Sequence, residues 1–146
     1  MKELTGKNIK QMFVNEDQSL LKFTVDDGEE FLIYEAVGDC CSETWFADII
    51  FGWKFFGSKI TDVVELEVPE WLNNLFSRDG RGRQEYDQVY GFQLKASDSH
   101  CDVIFRNSSN GYYGGWCELM TNLESQWSKE KLERAVWTEI KTDWQA

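Results

Sequence analysis

Residues 101–120 read CDVIFRNSSNGYYGGWCELM, and the way this stretch pairs decides the sheet around it. Asn110-Gly111 stands between two runs rich in β-branched and aromatic residues, and a type I′ turn asks for positive φ at both central positions. The spacing predicts a hairpin with a two-residue turn joining strands 101–109 and 112–120. In that register Ser109 faces Tyr112, Ser108 faces Tyr113, Asn107 faces Gly114, Arg106 faces Gly115, Phe105 faces Trp116 and Ile104 faces Cys117. Alternation puts Cys101, Val103, Phe105, Asn107, Tyr112, Gly114, Trp116 and Met120 on one face. Ile104, Arg106, Ser108, Tyr113, Gly115, Cys117 and Leu119 take the other.

On that second face Gly115 leaves room opposite Arg106, so the guanidinium is expected to lie across the backbone beside Tyr113. The candidate binding residues are therefore Arg106, Asn107, Ser108, Asn110, Tyr112 and Tyr113. A planar cation, phenols, amides and hydroxyls together suit a nucleotide-like ligand, a carboxylate or a protein loop. The competing reading is structural: asparagine, serine and glycine serve the turn, and Arg106 pairs with a local acid.

Working outward, segments 7–14, 19–25 and 30–37 have strand length and β-rich composition, and Asp26-Asp27-Gly28 joins the last two, which predicts an N-terminal meander. In SETWFADIIF, Trp45, Phe46, Ile49 and Ile50 fall on one helical face, with Ser42 as cap and Gly52 as stop, so a short helix is expected. Val64, Leu66 and Val68 alternate with glutamates as a half-buried strand, and Pro69 opens a helical turn bearing Trp71, Leu72 and Leu75. Residues 77–85 read as a loop, and Tyr90, Phe92 and Leu94 alternate into the core. Leu123, Trp127, Leu132, Val136 and Ile140 mark an amphipathic C-terminal helix over 123–142. The expected fold class is α+β: a single domain with a largely antiparallel sheet of about seven strands and these two helices packed on it.

The chain has 146 residues and a formal charge of −11. That field repels phosphate backbones, disfavours nucleic acid and favours a partner protein with a basic surface. MKELTGKNIK lacks the apolar run of a signal peptide and no segment reaches the length of a membrane span, so a cytoplasmic protein is expected. Four cysteines then read as reduced thiols. Asp39, Cys40 and Cys41, placed before the expected helix start, form a candidate thiol site, because helix N-terminal amides stabilise a thiolate. Asp39 and Glu43 oppose it, and a buried small-residue role competes. Cys40, Cys41, His100, Cys101 and Cys117 lack zinc spacing, DGRGR lacks a phosphate-binding context, and no metal or cofactor is expected. Arg78, Arg81 and Arg83 read as a solvated basic loop. Trp137 and Trp144, a heptad apart and off the core stripe, are candidate partner contacts, in a host protein or a homodimer.

GDCCSETWF and YGFQLKASDSHCDVIFRNSSNGYYGGWCEL together resemble a family of small, functionally uncharacterised proteins of phages and bacteria. Two signatures, D-C-C-S and R-N-S-S-N-G-Y-Y-G-G, carry the resemblance, over roughly residues 7–120. It implies a phage-associated accessory protein and no particular chemistry. The expected function is a non-enzymatic acidic binding protein acting on a host or defence protein. A small-molecule sponge using the hairpin tip and a thiol-dependent enzyme or redox sensor are the alternatives.

Overall fold

The computed structural model describes residues 1–39, 41–68, 86–109 and 114–146. Strands β1 (Ile9–Asn15), β2 (Leu20–Val25) and β3 (Glu30–Gly38) form the expected antiparallel meander. Gly28 turns the β2–β3 hairpin with a φ of +87°, a conformation that side-chain-bearing residues adopt only at a cost.

The next element overturns the expected helix. Residues Glu43–Phe51 are strand β4, and Thr44 to Asp48 are buried on both faces of it, together with Ile49. A strand covered on both sides reads as a continuous apolar run, which periodicity alone does not separate from a buried helix. A bulge at Ala47 shifts the register, so Phe46 and Ile49 both reach the core. Gly52 ends this strand for a different reason from helix termination. A Cβ there would lie 3.0 Å from the His100 carbonyl oxygen and 2.9 Å from the Ser99 hydroxyl.

β5 (Asp62–Leu66), β6 (Tyr86–Lys95) and β7 (His100–Ser109) follow. In β5 the fully inward residue is Val63, and Val64 and Leu66 are half-buried, a phase one residue from that expected. Leu94 is buried and Tyr90 and Phe92 stack on Phe105 at centroid distances of 5.2 and 5.9 Å, so β6 alternates as expected. The Pro69 turn and the 77–85 loop lie outside the described residues.

β8 (Gly115–Leu119) corrects the 101–120 hairpin. β7 pairs with β4 and β6, whereas β8 pairs with β3, so the two halves of that stretch belong to different sheets. Arg106 is opposite Trp45 and Val89 rather than Gly115, and Trp116 is opposite Val37 rather than Phe105. The Asn110-Gly111 turn itself lies outside the described residues.

After β8 come helix α1 (Gln126–Arg134) and strands β9 (Trp137–Glu139) and β10 (Trp144–Gln145). The expected 123–142 helix is thus cut to the nine residues Gln126–Arg134, because Val136, Trp137 and Thr138 prefer an extended backbone and find an edge to pair with. In place of one seven-stranded sheet there are two antiparallel five-stranded sheets, in the orders β8-β3-β2-β1-β9 and β10-β4-β7-β6-β5. Met12, Leu21, Phe23 and Tyr34 of the first share one core with Phe46, Ile49, Val63, Leu94, Val103 and Phe105 of the second. The fold is mostly β, with α1 the single α-helix among the described residues.

Candidate functional site

The expected binding platform is internal. Arg106, Asn107 and Ser108 have no measurable exposure. The Arg106 guanidinium lies 4.9 Å from the Trp45 ring centroid, and its Nη2 is 3.6 Å from Asp87 Oδ2. Asn107 points to the opposite face, where its Nδ2 donates to Thr44 Oγ1 at 2.9 Å. Gly38 and Gly115, paired across β3 and β8, make this possible. A Cβ on Gly115 would meet Thr44 Oγ1 and lie 2.7 Å from Asn107 Nδ2, and one on Gly38 would lie 2.5 Å from Ser42 Oγ. Two side-chain-free positions therefore let the sheets approach over a polar cluster. Asn110, Tyr112 and Tyr113 lie outside the described residues.

The thiol site loses its physical basis in the same region. Cys41 is exposed, at a φ of 68°, and strand β4 starts two residues after it, so the helix expected to begin there does not supply its N-terminal amides to that thiol. Asp39 is exposed, its carbonyl accepts from the Ser42 amide at 3.0 Å, and Cys40 lies outside the described residues. Burial pushes the Cys101 thiol up, and burial pushes Cys117 up to about 12 against the lowering effect of the N-terminal amine, so neither is primed as a nucleophile.

Trp137 and Trp144 are half-buried structural residues. Trp137 sits on β9, its ring 4.4 Å from Lys22 Nζ, which also lies 4.8 Å from the Phe13 ring. Burial between these rings lowers the Lys22 pKa. Trp144 packs against the shared core. The exposed tryptophan of the C-terminal segment is instead Trp127, expected in the core and 72% exposed.

Trp127 borders a groove of about 390 Å³ between α1 and the β1–β2 turn. Spacings of three and four put Trp127, Glu130, Lys131 and Arg134 on one helical face, all lining the groove. Val136, 60% exposed, lines it too, and Glu16 and Asp17 of the turn form the wall opposite α1. The wall is built by hydrogen bonds. Asp17 Oδ1 accepts from Ser19 Oγ at 2.6 Å, the Ser19 amide at 3.1 Å and Asn15 Nδ2 at 2.9 Å, and the Leu20 amide donates to Asn15 Oδ1 at 2.9 Å. Burial would raise the Asp17 pKa, but the hydrogen bonds from Ser19 and Asn15 and the charge of Lys131 outweigh it and leave it below the ordinary 3.8.

α1 itself is held by polar contacts. Ser125 Oγ accepts from the Ser128 amide at 3.2 Å as the N-cap, and Lys131 Nζ reaches Glu35 Oε1 of β3 at 3.1 Å. Ser128 is its one buried residue, so the expected amphipathic helix is a polar helix carrying an exposed tryptophan. The sequence holds a signal for this: QWSKEKLER has only Trp127 and Leu132 as apolar residues, too few for a core-facing stripe.

No helix among the described residues is long and apolar enough to cross a membrane. The chain is 29% identical over 114 residues to the uncharacterised protein L278 of Acanthamoeba polyphaga mimivirus, a match that covers 76% of this chain and 85% of the relative. No solved structure matches. The resemblance to an uncharacterised family holds at that level: a family model fits residues 2–119, and the chain belongs to the DUF7448 family, a domain of unknown function.

Proposed function

We propose that this protein is a non-enzymatic acidic binding protein that engages a basic surface of a partner protein through the groove beside α1. The observation that carries the reading is Trp127, 72% exposed on a helix that buries only Ser128. This aromatic contributes little to the chain's own core, and tryptophans of this kind are common anchors of protein interfaces. Glu16, Asp17 and Glu130 line the same groove with Arg134 and with Lys131, which Glu35 already engages, so three carboxylates stand against two cations and the small negative excess favours an incoming cation. A lysine or arginine of the partner would stack on Trp127 and meet these carboxylates. The overall charge of −11 would steer it there.

The test is an array of short peptides combining basic and apolar residues, probed with the wild-type chain, Trp127→Ala and Trp53→Ala. Trp53, 80% exposed and not among the residues that line the groove, is the control. Wild type and Trp53→Ala are expected to select the same peptides over scrambled versions, and Trp127→Ala to weaken them by about tenfold or more. Equal binding by all three chains, or no selection over scrambled peptides, sinks the reading.

A further inference from the structure

The family match ends at residue 119, yet residues 137–146 bond to both sheets. β9 lies on the outer edge of β1, with Phe13 opposite Glu139, Val14 opposite Thr138 and Asn15 opposite Trp137. β10 lies on the outer edge of β4, with Trp144 opposite Ile49 and Gln145 opposite Asp48. Between them the Ile140 amide donates to the Met12 carbonyl at 2.8 Å and its side chain, 2% exposed, enters the shared core. Asp143 Oδ1 accepts from the Phe51 amide at 2.8 Å, and the Ala146 amide donates to the Ala47 carbonyl at 2.8 Å. Without this segment β1 and β4 would each end their sheet as an open edge.

We propose that these two edges together form a strand-accepting site of the family core, and that residues 137–146 occupy it as an intramolecular ligand. The recognition has the form of strand addition: main-chain pairing at two edges, one apolar side chain in a socket and one carboxylate capping a free amide. Ile140 is the socket residue, Asp143 the cap, and Trp137 and Trp144 flank them. The occupant is defined by chemistry that any extended segment of the pattern aromatic, acid, Ile, acid, aromatic can reproduce, a second copy of this chain first among them. The inference does not depend on the groove beside α1, since Trp127 makes none of these contacts.

The experiment uses the full chain with a protease site introduced at Thr121 and Asn122, both exposed. After cleavage the C-terminal fragment is expected to stay bound, and a labelled peptide of residues 136–146 to replace it saturably. An Ile140→Asp peptide should bind at least about a hundredfold more weakly, and an Asp143→Ala peptide about tenfold. The labelled peptide lacks Trp127, so its binding is read separately from the groove test. A nicked chain that keeps its fold while admitting no peptide overturns the proposal, because the segment is then a permanent part of the core. So does loss of near-ultraviolet circular dichroism as the fragment leaves, because the segment is then needed for folding.

Discussion

Arg106 holds a full charge at a position with no measurable exposure, against Trp45 and 3.6 Å from Asp87. A buried cation is tolerated only when its partners replace water, and removing it leaves Asp87, whose side chain is only 15% exposed, with its negative charge uncompensated by that guanidinium. Arg106→Ala is therefore expected to destabilise the domain by about 3–5 kcal/mol, seen as a lower urea midpoint at unchanged slope. Arg106→Lys should recover only part of this, because an ammonium lacks the planar face that stacks on Trp45. A midpoint within about 0.5 kcal/mol of wild type would show that the residue is a surface group. The sequence reading was close in one respect: a local acid as the partner of Arg106 is what the fold provides. Its account of Gly115 had the physics right and the neighbour wrong. The missing side chain makes room for Thr44 and Asn107 across the sandwich, and an assumed hairpin register sent that space to Arg106.

At the level of elements, strands with one solvated face were legible, whereas of the two buried on both faces β7 was legible as a strand but not in its pairing, and β4 was not legible as a strand. β1, β2 and β3 alternate or turn where Asp26-Asp27-Gly28 says they should, and β6 shows its Tyr90, Phe92 and Leu94 stripe. β4 lost its period because Trp45 and Phe46 point to opposite faces and are both buried. The segment 101–120 misled for a related reason: a strong turn dipeptide predicts a local hairpin, and tertiary pairing with β4, β6 and β3 prevailed over it. The groove was missed because half of it is the β1–β2 turn, distant in sequence from α1. That turn carries a pH prediction. The folded pKa of Asp17 is depressed, so the stability it contributes is present above the unfolded value near 3.8 and is lost as pH falls through the lower folded value. Carboxyl-carbon NMR should show Asp17 titrating below 3.8, with exchange protection of the Ser19 amide falling alongside. Asp17→Asn should flatten the acid limb of the stability profile below roughly pH 4. A midpoint at or above the ordinary value would mean that the hydrogen bonds to Ser19 and Asn15 do not hold the turn in solution.

For the molecule as a whole, the acidic charge acts in two opposite ways that salt can separate. A formal charge of −11 on 146 residues repels itself within the folded chain and attracts a basic partner outside it. The surface ion pairs offset little of this. Lys7–Glu30, Lys129–Glu124 and Lys141–Glu139 are all at least partly exposed, and such pairs contribute little to stability. Raising ionic strength from about 0.01 to about 0.15 M shortens the screening length from about 30 to about 8 Å. Self-repulsion between carboxylates spread over two sheets is then screened, so the thermal midpoint is expected to rise by a few degrees, which corresponds to about 1 kcal/mol for a domain of this size. Over the same range, binding of the basic peptides selected by the groove should weaken, and mainly through slower association, since steering is the component that screening removes. Calorimetry and stopped-flow binding on one sample series measure both. Stability and affinity moving in the same direction would show that the acidic field does not steer the partner, and would leave the apolar contact with Trp127 as the source of binding.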